Sequence, residues 1–414
     1  MRMMTALALV LASAPAAYAA GAPSNESFIE QVGTKNDATI TQQNGNNGQA
    51  TFQAGKKNSV LTNQTGNLAN GKNTSGNVQV GKNNTATTSQ TNSAPNALAT
   101  GVAYTNNSFS AQYGTKNSAI VGQDGGQNTQ GTLQIGKNNV AGVAQSNSSI
   151  TPAGASPVGG NNSSASGQIG DNNKAAVVQT SADGTSFFGD NLPGHSNASS
   201  TMQIGSKNEA GTQQSSVGDS AQGPRNTAAA IQVGNGNLET TKQGGNVAGA
   251  FGATTADQVA NFTNASFTSQ VGTKNVGQVD QENGANTQAL FQVGTKNSAT
   301  INQTTQTFGT GNGANNALTS QVGTKNMANV SQSMAVPLAL GSNNSYISQV
   351  GGSNVVNAAQ VTGQQATAGN NTQAAIQVGT GNNLQVTQAT GANVTNTSFT
   401  AQYGMHNTAT VTQR

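Results

Sequence analysis

The chain lacks cysteine and tryptophan altogether, and among its 414 residues it has only 8 prolines, 4% aromatic and 7% charged side chains. Without cysteine it owes nothing to disulfides. So few large apolar side chains cannot fill an ordinary globular core of this length. Low hydrophobicity usually argues for disorder, but disordered chains usually carry high net charge too, and here the formal net charge is +3. No later segment is apolar enough to span a bilayer. What is present is 52 glycines and an abundance of Asn and Gln, a composition of the aggregation-prone β class.

Residues 1–19 read as a secretory signal peptide. Arg2 supplies the charge, Ala6 to Ala12 the short apolar run, and Ala17-Tyr18-Ala19 a small-x-small cleavage site. Residues 20–24 form a short N-terminal segment, and 25–414 is one array of repeats.

The repeat is Asn-x5-Gln-x-Gly-x-x-Asn-x5-Gln, and it occurs fourteen times with no exception at its five fixed positions. Copies start at 25, 47, 73, 106, 128, 162, 197, 226, 264, 286, 315, 343, 371 and 396. The fixed residues are Asn25, Gln31, Gly33, Asn36 and Gln42 in the first copy, and Asn47, Gln53, Gly55, Asn58 and Gln64 in the second. They are Asn106, Gln112, Gly114, Asn117 and Gln123 in the fourth, and Asn264, Gln270, Gly272, Asn275 and Gln281 in the ninth. The tenth has Asn286, Gln292, Gly294, Asn297 and Gln303, and the last Asn396, Gln402, Gly404, Asn407 and Gln413. Compositional accident does not hold such a phase.

Spacing within a copy is rigid, but the connection between copies varies from four residues after Gln42 to twenty after Gln243. In a solenoid such insertions map to loops on one face. Outside the leader and the residues just after it, every Pro falls in these connections (Pro95, Pro152, Pro157, Pro193, Pro224, Pro337), as expected of a residue that cannot donate to a ladder. Each seven-residue Asn-x5-Gln segment is a normal strand length. Alternation then places Asn, usually Ala, usually Val or Ile, and Gln of the second strand on one face, read as interior. The four residues Val293 to Lys296 form the inner turn, where Gly permits positive φ and the following Asn tolerates such geometry. Outward positions of the first strand carry Phe28, Phe52, Phe109, Phe267, Phe291, Tyr346 and Phe399, so one outer face reads as apolar and the other as polar.

The expected fold class is all-β: a β-solenoid of fourteen strand–turn–strand repeats forming two facing parallel sheets, cross-β-like in its stacking. Identical Asn and Gln amides, each both donor and acceptor, would form columns along the stack. A lone buried amide would otherwise cost several kcal/mol. The first copy begins five residues after the expected cleavage site and the last closes at Gln413, so neither end reads as capped. A head-to-tail contact between such ends does not close and builds filaments.

The unit Gln31-Val32-Gly33-Thr34-Lys35-Asn36-Asp37-Ala38, running on to Gln42, resembles the curlin repeat of curli subunits, and the likeness covers residues 25–413. The chain opens its units with Asn where curlin repeats typically have Ser. The resemblance implies an extracellular functional amyloid of the biofilm matrix, secreted by a Gram-negative-type bacterium, supporting cell adhesion and aggregation. It also implies a nucleator subunit and a dedicated outer-membrane export pore as partners, beside self-association into the fibre.

Two surface features are candidates for contact. Lys35, Lys57, Lys116, Lys207, Lys274, Lys296 and Lys325 fall in the inner turns and would stack into a basic row. Such a row either holds polyanions (extracellular DNA, polysaccharide) by charge or protects against lateral aggregation. Phe28, Tyr113, Phe267, Phe291 and Phe399 are candidate lateral contacts between filaments. Glu239 occupies an inward position that is Ala in nine copies, so the copy from Asn226 to Gln243 is expected to be the weakest. No catalytic or metal site and no cofactor is expected. The acids are scattered, His195 and His406 are lone, and Gly66 to Lys72 imitates a phosphate loop without the required Ser/Thr or a helix. The competing readings are a monomeric secreted β-solenoid adhesin and a minor nucleator of the same fibre system.

Overall fold

The computed structural model describes residues 24–66, 71–92, 105–148, 161–183, 196–218, 225–247, 263–307, 313–336, 341–363, 369–390 and 394–414. The leader and the loop prolines named above lie outside these residues. Among the described residues the fold is all-β, a parallel β-solenoid in which each repeat forms one rung of two strands. Rung 10, for example, has a first strand Ala285–Thr295 and a second strand Ser298–Thr307. First strands pair only with first strands and second strands only with second strands, so two parallel sheets face each other.

Two compact units result. Rungs 1–6 make the first and rungs 7–14 the second. Within each unit the register never slips: Gln270, Gln292 and Gln321 are neighbours in one row, and Gly272, Gly294 and Gly323 in another. A one-residue slip would turn every interior side chain to solvent, so burial itself specifies this register.

The inner turn differs from expectation. The first strand does not stop at its Gln but continues through Val-Gly-Thr, so that only Lys296 and Asn297 separate the two strands of rung 10. Gly294 makes the continuation feasible. Its φ is 121°, and a Cβ there would sit 2.0 Å from the Gly323 carbonyl oxygen of the next rung. The left-handed residue is also not the fixed Asn but the one before it. Lys35, Lys57, Lys116, Lys207, Lys274, Lys296 and Lys325 have φ of 56–59°, with His406 at 55° and Gly236 and Gly381 at 67–68° in the same place. The fixed Asn is kept for side-chain bonding instead.

The interior is thin and mostly polar. Asn and Gln columns flank a middle zone of Ala, Ser, Thr and Val, and both kinds are buried. Rungs 10–13 are the apolar part, where Leu290, Ile301, Ile347, Leu384 and Val386 are buried in one cluster. A further inward column, two residues past the closing Gln, was not anticipated. It holds Asn92, Ser181, Ser216, Thr305, Met334, Thr362 and Thr390, all buried. Its only mark in the sequence is a tendency to Ser, Thr, Asn or Gly at that spacing.

Candidate assembly interface

The four amide columns are built as expected, and all thirty fixed residues singled out above lie in them or in the glycine row. In the first-Gln column each side chain donates to the next: Gln270 Nε2 to Gln292 Oε1 at 2.8 Å, Gln292 to Gln321 at 2.8 Å. The closing Gln column runs the same way, with Gln281 donating to Gln303 and Gln303 to Gln332, each at 2.8 Å. The amide nitrogen's second hydrogen crosses the interior. Gln292 Nε2 also donates to the Val276 carbonyl, and Gln303 Nε2 to the Thr287 carbonyl, at 2.9 and 3.1 Å. Each Gln therefore ties a rung to the next rung and to the opposite sheet.

The first-Asn column runs in the opposite sense. Asn286 Nδ2 donates back to Asn264 Oδ1 at 2.9 Å, and Asn315 back to Asn286 at 3.0 Å. The unanticipated Ser/Thr column braces it: Ser181, Ser216 and Thr362 donate to Asn162, Asn197 and Asn343 at 2.8–2.9 Å. The second Asn secures the turn. Asn297 Nδ2 bonds the Val293 carbonyl of its own rung and the Gly323 carbonyl of the next, while its Oδ1 accepts from the Asn326 backbone N–H at 3.1 Å.

Because the columns are polar, the outermost described strands present different chemistry. At rung 1, Gln31 and Gln42 donate inward to Gln53 and Gln64, which turns their amide oxygens outward as acceptors. At rung 14, Gln402 and Gln413 accept from Gln377 and Gln388 and keep one amide hydrogen beyond their bonds to Asn383 and Thr397. The Asn column is reversed: Asn25 accepts from Asn47, and Asn396 donates to Asn371. The first strand of rung 1 is exposed throughout, and that of rung 14 mostly so.

The seven turn lysines are all exposed, and in the first unit Lys82 and Lys137 complete a run in which rungs 1–5 each carry a turn lysine. On the first-strand outer face Phe28, Phe291 and Phe399 are 43%, 39% and 68% exposed. Phe267 is half-buried and packs on Phe291 with ring centroids 5.5 Å apart. Tyr113 is half-buried. Although they point outward, Phe52, Val78 and Ala111 form a buried cluster against which Tyr113 packs. Burial raises the Tyr113 phenol above its ordinary pKa. The second-strand face is mixed rather than polar, exposing Leu61, Ile120, Val140 and Val178 among its polar residues.

Glu239 is buried, between Ala210 and Gly277 in its row. One carboxylate oxygen accepts from the Thr241 hydroxyl and the other has no partner, so burial pushes its pKa up to about 7. Nearby, Lys242 on the outside approaches Asp280 at 3.9 Å and Glu282 at 3.7 Å, half-exposed pairs worth little. Among the described residues no three His, Cys, Asp or Glu side chains gather, and no helix is long and apolar enough to cross a membrane. Compared with known proteins, the chain matches no family model and no curated sequence.

Proposed function

We propose that the protein is a structural subunit that polymerises end to end into extracellular, curli-like amyloid fibres of a biofilm matrix, where the fibres support adhesion and aggregation of cells. The observation that carries this reading is the polarity of the amide columns. The rung 14 face offers Gln donors and an Asn acceptor, and the rung 1 face offers Gln acceptors and an Asn donor. A second copy stacked in the same sense would repeat the internal bonds, Gln402 to Gln31, Gln413 to Gln42 and Asn25 back to Asn396. Unpaired parallel strand edges are templates for this kind of addition, and a translational contact does not close. The leader-like residues and the repeat's resemblance to curlin add secretion through an outer-membrane pore and a nucleator partner to the proposal. It assigns the chain no catalytic chemistry.

The test is to incubate the purified chain beginning at Ala20 and record electron micrographs and fibre diffraction. Fibres with a meridional spacing of about 4.7–4.8 Å are expected. Gln402→Lys with Gln413→Lys should block growth, since a desolvated ammonium cannot replace the amide in the column. A wild-type chain that stays monomeric would sink the proposal and favour the adhesin reading. The exposed lysines support a second, additive role in holding polyanions such as extracellular DNA or acidic polysaccharide. Binding unchanged after the turn lysines are replaced by Gln would exclude it.

A further inference from the structure

The outer face of the first strands in the second unit follows a rule that neither strand formation nor interior packing requires. Number each first strand from its fixed Asn as position 0. Positions 3 and 5 then always hold one large apolar and one small residue. In rungs 7 to 14 the pairs are Ser200/Met202, Ala229/Ile231, Phe267/Ser269, Ala289/Phe291, Leu318/Ser320, Tyr346/Ser348, Ala374/Ile376 and Phe399/Ala401. No rung has two large residues or two small ones. Position 7 is Ile, Val or Tyr throughout, and position 1 is Ala, Thr or Asn. Only Arg225, at one strand end, is charged in these eight strands. Leu318, Val322, Tyr346 and Val350 are 40–46% exposed, well inside the sheet rather than at its ends.

We propose that this face pairs with the same face of a second copy, about a twofold axis parallel to the stacking direction. Facing sheets related by that axis run their strands in opposite directions, so position 3 of one copy meets position 5 of the other, and position 7 meets position 1. Every large side chain then faces a small one in the same rung. A twofold axis along the strands would instead set position 3 against position 3 and reverse the stacking polarity. Eight strands of eleven residues cover roughly 36 by 38 Å, or about 1,400 Å² per copy, at ordinary strand spacings. That exceeds the roughly 800 Å² per partner of a standard stable interface. Depletion of charge at the centre is the compositional mark of an interface core. A second copy is the occupant because only a surface with the same rung period keeps this register over eight rungs. The pairing axis lies along the stacking direction of the second unit's rungs, and the pairing does not depend on fibre growth.

Leu318→Lys with Tyr346→Lys places charges on this face, and Thr300→Lys with Gln385→Lys places the same charges on the opposite sheet's outer face. Wild-type filaments should show twice the mass per length of a single stack, the first variant half the wild-type value, and the control variant no change. Single-stack wild-type filaments, or a first variant that stays double, would overturn the pairing. If no filaments form, end-to-end growth fails, and sedimentation decides the pairing by itself: wild-type dimer with variant monomer supports it, wild-type monomer overturns it. The chain has no cysteine, so the axis can be read directly. Under oxidation, a mixture of Leu318→Cys and Ser320→Cys chains should cross-link more than either alone. Dominant homodimers of Leu318→Cys would overturn the assigned geometry.

Discussion

Gly277 and Leu290 meet across the interior of rungs 9 and 10, where the leucine fills the space a side chain at 277 would need. A Cβ on Gly277 would lie 2.8 Å from Leu290 Cδ2 and 3.3 Å from Gln270 Nε2. Leu290 is fully buried in the apolar cluster, so it cannot retreat to solvent. Gly277→Ala should cost about 1–3 kcal/mol by overpacking, and Leu290→Ala about 2–5 kcal/mol by leaving a cavity. The double variant should lose less than the sum of the two by about 1 kcal/mol, as measured by a double-mutant cycle in chemical denaturation. Strict additivity would show that the two residues are not coupled.

The Gln columns make a separate prediction. Gln292→Leu keeps the volume but leaves the Gln270 amide, the Gln321 oxygen and the Val276 carbonyl each short of a partner. Buried groups left unpaired cost about 1–3 kcal/mol each, partly relieved by repacking. Hydrogen exchange should accelerate in rungs 9–11 by at least tenfold while rungs 1–5 are unaffected, because solenoid stability is set between nearest neighbours.

Glu239 introduces a pH dependence of known sign. Its carboxyl has a pKa of about 7 when folded against an ordinary 4.5, so the folded chain holds the proton more tightly. Stability from this group is therefore fully present below about pH 4.5 and is lost as pH rises through about 7. The difference corresponds to roughly 3 kcal/mol at alkaline pH. Glu239→Gln should thus be more stable than wild type at pH 8 and equal to it at pH 4, in denaturation curves at the two pH values. A pH-independent difference would show that the carboxyl does not titrate in this range.

The turn lysines carry a backbone cost. Lys296 has φ of 59°, a conformation that glycine adopts freely and that Gly236 and Gly381 supply in other rungs. Lys296→Gly should be neutral to stabilising by about 0.5–1 kcal/mol, and Lys296→Val destabilising by more than 1 kcal/mol, in thermal unfolding. A lysine more stable than glycine here would mean that the side chain does something beyond occupying the turn.

Much of this was legible in one dimension. A fixed Asn–Gln–Gly–Asn–Gln phase held over fourteen copies dictates parallel in-register stacking, since only identical rungs let every amide find an identical partner. The interior faces, the amide columns and the exposed turn lysines follow from strand alternation alone. Three things did not. Which turn residue takes positive φ depends on Gly294 approaching the Gly323 carbonyl of another rung, and on Asn297 being needed to bridge rungs. The Ser/Thr column past the closing Gln matters only because it lands beside the first-Asn column, more than ten residues away in the chain. The burial of Phe52 and Val78 on a face that points outward is likewise invisible to alternation, which assigns a side but not what lies against it. Local pattern sets the direction in which a side chain points; only the assembled fold sets which atoms it meets there.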